Sequence, residues 1–218
     1  MHLECLPAKG QKALGWFKNI AAKKHLILAG GTALALQLGH RISVDLDFFT
    51  MDDFSSESLI QEIKRLKFDY QILQEEAGSL TVIVNSVKVS VFRYHCPFTD
   101  LKVKIKSIPV ASILDIAAMK VIAITQRGAK RDFADLYFIL QDTPFRKVAA
   151  NMLRRFGTER VNPLLIGKAL VFFNDAEGDP EPQYLRDKPD WKDIKRFFKK
   201  NVKQIVFDLQ NAKEELQQ

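Results

Sequence analysis

Ala29-Gly30-Gly31-Thr32, then Ser43-Val44-Asp45-Leu46-Asp47-Phe48-Phe49-Thr50: from these two runs the rest of the chain can be placed. His25-Leu-Ile-Leu-Ala29 reads as a buried strand and 32–38 as a helix with Thr32 as its N-cap, so Gly30-Gly31 forms a tight connection between them. Glycine permits close backbone approach and a helix N-terminus attracts anions, so the same turn can cradle a phosphate. In a strand over 43–49, alternation puts Asp45 and Asp47 on one face and Val44, Leu46 and Phe48 on the other, towards a core. Two neighbouring carboxylates repel each other and weaken a strand, whereas Mg²⁺ turns the pair into ligands with room left for water and substrate oxygens. The plainer alternative is a simple strand-to-helix turn followed by an edge strand with two solvated aspartates. Taken together, turn and carboxylates point to nucleotidyl transfer.

Working outward, a helix is expected over 11–22, then strand 25–29, helix 32–38, strand 43–49 and helix 55–66. Ser55 and Ser58 are both able to cap that last helix. Strand-rich segments follow at 68–74, 80–85, 87–95 and 103–108, with Asn85-Ser86 as a hairpin turn. From Ala111 the pattern is helical: 112–126, 131–141, 144–156, 163–173 and 191–216, with 174–189 as a Pro- and Gly-containing loop. The fold class expected is α/β (α+β), a mixed sheet with flanking helices and a helical carboxy-terminal lobe. The division falls near Pro109, giving a catalytic lobe at 1–108 and a helical lobe at 109–218.

Leu28-Ala-Gly-Gly-Thr-Ala-Leu-Ala-Leu36, Gly39-His40-Arg41 and Ser43-Val-Asp-Leu-Asp-Phe-Phe49 resemble the first motif of the AbiEii/MenT-type nucleotidyltransferase toxins, within the DNA polymerase β-like nucleotidyltransferase superfamily. Ala118-Met-Lys120 and Arg127-Gly-Ala-Lys-Arg-Asp-Phe-Ala-Asp-Leu-Tyr137 resemble its later motifs. The resemblance implies transfer of a nucleoside monophosphate from an NTP to an acceptor hydroxyl, a tRNA 3′ end or another RNA, with an antitoxin as cognate partner. It makes Asp45 and Asp47 the Mg²⁺ ligands and gives Gly30, Gly31 and Thr32 the phosphate. Lys120, Lys130 and Arg131 become phosphate-contacting cations, and Asp132 stands near the metal or the attacking hydroxyl.

Read without the resemblance, Lys120 lies in the apolar run Ile116–Ile124, where a buried ammonium needs an anion, a triphosphate for instance, unless its stem snorkels to the surface. Asp132 and Asp135 can equally serve the positive end of the helix that begins after Gly128, with Arg131 and Asp135 as an i,i+4 pair. Polymerase β-like transferases place a third carboxylate on a later strand, and here the matching stretch, Val87–Phe92, offers Ser90. That departure keeps a rival open: a non-catalytic nucleotide- or RNA-binding module on a degenerate scaffold. His40 and His95 are weaker candidates for a base, since a lone histidine is more often structural.

The chain of 218 residues carries a net charge of +7, which favours a polyanionic partner. Between Lys188 and Lys203 lie seven Lys or Arg, interleaved with Trp191, Ile194, Phe197 and Phe198 at helical spacing. Lys192, Lys195, Arg196, Lys199, Lys200 and Lys203 thus form the polar side of an amphipathic helix, either a solvated face or an RNA-tracking surface, with a membrane-surface role as a lesser alternative. No apolar run approaches the about 20 residues of a membrane span, and the start lacks the pattern of a secretory signal. A soluble, cytoplasmic protein is the expectation. Cys5 and Cys96 are too few and too far apart for a zinc pattern or a disulfide scaffold and read as reduced thiols.

Overall fold

A computed structural model describes residues 1–186 and 188–216. Asp187, within the expected 174–189 loop, lies outside the described residues. The chain divides into two compact units, Met1–Ser112 and Ile113–Gln218.

The first unit is built on a five-stranded sheet. After a 3-10 turn at Leu3–Cys5 come α1 (Ala8–Lys23), β1 (Ile27–Ala29), α2 (Gly30–Leu38), β2 (Leu46–Thr50), α3 (Ser56–Arg65), β3 (Tyr70–Glu76), β4 (Ser79–Val84) and β5 (Val87–Arg93). The order is β1-β2-β5-β4-β3, with β2 and β5 parallel and the other pairs antiparallel. Bringing β2 and β5 together makes the sheet mixed, because a parallel pair requires an intervening crossover. Asn85 and Ser86 have φ of 48° and 65°, the left-handed pair that a two-residue hairpin demands. The Ser55 hydroxyl caps α3 by accepting from the Ser58 N–H, a contact of the kind that contributes about 1 kcal/mol.

One face of the sheet is closed. Phe48 and the α1 residue Phe17 are fully buried and stack at 5.9 Å, joined by Leu14, Leu46, Val89 and Val91. The other face carries Asp47, Phe49, Ser90 and Phe92. The expected 103–108 strand is instead a short hairpin, β6 (Lys104–Ile105) with β7 (Ile108–Pro109), turning at Lys106 and Ser107 with positive φ.

The second unit contains α4 (Ile113–Arg127), α5 (Lys130–Asp142), α6 (Phe145–Phe156), α7 (Pro163–Leu170), α8 (Asn174–Glu177) and α9 (Trp191–Glu215). Gly128, at φ +56°, breaks α4 from α5. Its core centres on Phe133, whose ring meets Phe173, Trp191 and Phe198 at 5.2, 5.9 and 5.4 Å. The segment read as a loop holds the short α8, and α7 ends three residues earlier than its apolar pattern implied, at Leu170.

Candidate active site

The Gly-Gly turn is built differently from its sequence reading. The helix begins at Gly30, not Thr32, and Ala29 is the N-cap residue. Thr32 lies inside the first turn, buried, and its hydroxyl donates to Ser43 Oγ at 2.7 Å and to the Asp45 carbonyl. That second bond explains why β2 starts at Leu46 and not at Ser43: the Asp45 carbonyl is directed to a side chain on α2. Asp45 therefore stands just ahead of the strand, half-exposed, while Asp47 lies within it.

Both glycines are needed for packing. Gly30 has φ +67°, and a Cβ on it would stand 3.0 Å from Asp47 Oδ2. A Cβ on Gly31 would collide with the buried Arg41 guanidinium, which donates to the Ile42 carbonyl at 3.0 Å. Hence the Asp47 carboxylate sits directly beside the N-terminal residue of α2, where first-turn N–H groups lack intrahelical partners and the helix end is positive.

Across the parallel ladder Asp47 is in register with Ser90. Ser90 in turn is in register with Thr81 on β4, whose hydroxyl lies 3.2 Å from Ser90 Oγ in a buried pair. Ser90 thus occupies the position beside Asp47 at which a third carboxylate was expected. Lys88, one pleat back on the same face, brings its ammonium within 3.6 Å of Asp45 Oδ2. Gly30, Gly31, Thr32, Asp45, Asp47 and Ser90 are accordingly gathered at one place in the first unit.

In the second unit the buried ammonium of Lys120 finds its anions within the chain. Its Nζ lies 2.8 Å from Asp132 Oδ1 and 2.6 Å from Asp135 Oδ2, with both carboxylates fully buried. Arg127 closes the other side with a fork, Nε to Asp132 Oδ2 at 2.8 Å and Nη2 to Oδ1 at 3.1 Å. Burial pushes the Asp132 carboxyl up, but the Lys120 ammonium and the Arg127 guanidinium outweigh it and hold the carboxyl below its ordinary range. Asp135 therefore pairs with Lys120 and not with Arg131, which is exposed.

Lys130 is buried and held by a downstream segment. Its ammonium donates to the Asp179 carbonyl at 2.8 Å, approaches Glu181 at 3.4 Å and lies over the Trp191 ring, while its N–H donates to Asp179 Oδ2 at 2.9 Å. On α9, Ile194, Phe198, Ile205 and Leu209 are buried, and Lys192, Arg196, Lys199, Lys200 and Lys203 are exposed. Lys195 is half-buried, bonded to Glu177 at 2.6 Å. His40 is buried and His95 exposed; Cys5 and Cys96 are free thiols.

The sequence description "nucleotidyl transferase AbiEii toxin, type IV TA system" matches residues 15–212. The chain belongs to the AbiEii nucleotidyltransferase toxin family. It is a nucleotidyltransferase of toxin–antitoxin type. An uncharacterized protein of Aquifex aeolicus, aq_aa25, is 35% identical over 208 residues, spanning 92% of this chain and 98% of that protein. The solved structure of MenT4, a nucleotidyltransferase toxin of Mycobacterium tuberculosis, superposes with a TM-score of 0.57 at 19% identity, covering 94% of this chain and 91% of that one. JHP933 from Helicobacter pylori gives 0.56 at 20% identity, covering 96% of each. At those identities the likeness is one of fold, and it places the mixed sheet of this AbiEii protein among nucleotidyltransferase folds. No helix among the described residues is long and apolar enough to cross a membrane.

Sequence reading gave no role to Arg41, Thr81, Lys88 or Asp179, and it set Asp135 at the helix end or against Arg131 and not against Lys120. For Asp135 the signal was present, since Asp132 and Asp135 at i,i+3 on one helix face form a ready clamp for a single cation. Thr81 and Lys88 carried no local signal, because only strand register brings them to the site.

Proposed function

We propose that this AbiEii protein transfers a nucleoside monophosphate from an NTP to the 3′ hydroxyl of an RNA acceptor, tRNA foremost, using Mg²⁺ held by Asp45 and Asp47. The observation that carries the reading is the placement of Asp47: against Gly30, beside the start of α2, and in register with Ser90. The donor set fits the ion. Mg²⁺ is commonly bound through one or two carboxylates with substrate phosphates and water completing the octahedron. Asp45 and Asp47 would be the protein's share of such a shell. When bound, the ion neutralises the charge that develops on the phosphates.

The chain's own residues supply the rest. Gly30 and Gly31 let the backbone of the first turn approach phosphate, and the N-terminus of α2 favours its charge. Thr32 fixes the loop before β2, and with it the Asp45 backbone, by holding the Asp45 carbonyl. Lys88, now beside Asp45, is a cation that metal binding would release towards substrate oxygens. In the helical unit, Arg131 is the exposed cation assigned to phosphate, whereas Lys120 and Lys130 are buried and engaged by Asp132 and Asp135 and by Asp179 and Glu181, a structural role in place of the phosphate contact expected of them. Asp132, with both oxygens engaged by Lys120 and Arg127, fits a positioning role for those cations better than a metal contact. The exposed lysines of α9 and Arg196 are assigned to the RNA backbone, and an antitoxin is the expected partner in the cell.

Incubating the purified protein with each labelled NTP, Mg²⁺ and total tRNA tests the reading, with the products separated into RNA and protein fractions. Label in RNA, lost on chelation of the metal, is the expected result. Label in protein alone would move the acceptor to a polypeptide. Nucleotide binding without label in either fraction would overturn the transfer reaction.

A further inference from the structure

Beyond Asp47 the same face of the sheet turns aromatic. Phe49 follows Asp47 by two residues and shares its face, and in the β2–β5 register Phe49 stands opposite Phe92 as Asp47 stands opposite Ser90. Tyr94 extends the ladder, its N–H donating to the Thr50 carbonyl at 2.8 Å, and adds a third ring; Phe98 adds a fourth. Ring centroids lie 5.3 Å apart for Phe49 and Phe92, 5.5 Å for Phe49 and Tyr94, and 5.8 Å for Tyr94 and Phe98. All four rings are half-buried, whereas Phe48 and Val91 on the reverse face of the same strands are closed into the core. The aromatic surface is thus continuous along the ladder with Asp47 and Ser90.

Its location chooses the ligand. Ala29, which leads into the Gly-Gly turn, pairs with Asp47 from the β1 side, while Phe92 and Ser90 flank β2 from the β5 side. Attacking and leaving oxygens in phosphoryl transfer lie roughly in line through the phosphorus. With the triphosphate seated at the turn, the opposite side of the carboxylates belongs to the attacking hydroxyl and the nucleoside that bears it.

We propose that Phe49 and Phe92, backed by Tyr94 and Phe98, form a stacking platform for the unpaired base at the 3′ end of the RNA acceptor. The proposal rests on Asp45 and Asp47 being the site of nucleotidyl transfer. Every base has a π face, so such a platform holds a 3′ end while tolerating its sequence.

A short single-stranded RNA ending in 2-aminopurine, titrated with the full chain in Mg²⁺ without NTP, reports stacking as fluorescence quenching. Wild type should quench it saturably, and more strongly than the same RNA with the analogue at its 5′ end. Phe49→Leu and Phe92→Leu keep apolar volume but lose the π face, and each should raise the RNA dissociation constant about five-fold or more. The KM for NTP should stay unchanged in both, and Phe92→Tyr should restore RNA binding. Undiminished quenching in both leucine variants, or equal quenching at the two ends, overturns the platform. The titration needs no turnover, so Asp47→Asn should quench like wild type while failing to transfer. A wild type that transfers label to RNA yet quenches independently of the rings defeats the platform alone; one that labels no RNA defeats the acceptor reaction.

Discussion

The carboxylate of Asp47 lies against a glycine, next to the positive end of a helix and across from a serine, and each neighbour has a measurable consequence. Asp47→Asn preserves side-chain volume and removes the charge, so transfer should fall by about 10²-fold or more with the thermal midpoint held, read by turnover and calorimetry together. Retention of near wild-type turnover would remove Asp47 from the metal site. Ser90→Asp places a third carboxylate in a buried position beside Asp47. Without a cation that variant should melt at lower temperature than wild type, because like charges repel in a poorly solvated site; with Mg²⁺ it should recover and bind the ion more tightly. Mg²⁺ titration of the two proteins by calorimetry checks the sign.

Helices α4 and α5 are fastened by charge where they meet. Asp132 holds Lys120 and Arg127 at once, and Asp132→Asn leaves two cations under-compensated, one of them buried; a destabilisation of about 3 kcal/mol is expected in denaturant titration. The pH dependence follows from the direction of the shift. The folded-state pKa of Asp132 is lowered, so its contribution is complete above the unfolded value of about 3.9 and is lost as pH falls below it through the folded value. The Asn variant should therefore lose part of the acid-induced drop in stability that wild type shows below about pH 4. On α9 the buried stripe and exposed lysines make a separable test. Neutralising Lys199, Lys200 and Lys203 together should weaken tRNA binding and flatten the plot of log K against log salt by roughly one unit per lost phosphate contact. An unchanged slope would return this face to simple solvation.

For the chain as a whole, a net charge of +7 and the proposed two-carboxylate site together predict a stability that depends on ligands. On the proposed function NTP with Mg²⁺ binds the folded chain and not the unfolded one, so at a hundred times its dissociation constant it should stabilise the protein by about 2.7 kcal/mol, and chelation should abolish the gain. Thermal melts with each NTP, with and without chelator, identify the preferred base before any acceptor is known. Expression without an antitoxin should slow bacterial growth in wild type and not in Asp47→Asn.

Local signals were enough for the strand and the helix that meet at Gly30, though not for where that helix starts, and for the Asn85-Ser86 hairpin, the break at Gly128 and the amphipathic α9, because each depends on backbone preference or on the period of a single element. The same signals, with the motif resemblance, brought Gly30, Gly31, Asp45 and Asp47 to notice. Other features were decided by partners distant in sequence. Thr32 became a strut and not a cap because Ser43 and the Asp45 carbonyl lie across from it. Lys120 acquired anions because α5 folds back along α4, and Lys130 because residues 179–181 return to it. Ser90, Thr81, Phe92 and Lys88 reached the carboxylates only through the parallel pairing of β2 with β5, strands some forty positions apart. A sequence fixes periodicity and turn chemistry within a window; strand register and the satisfaction of buried charge are settled only when separate windows meet.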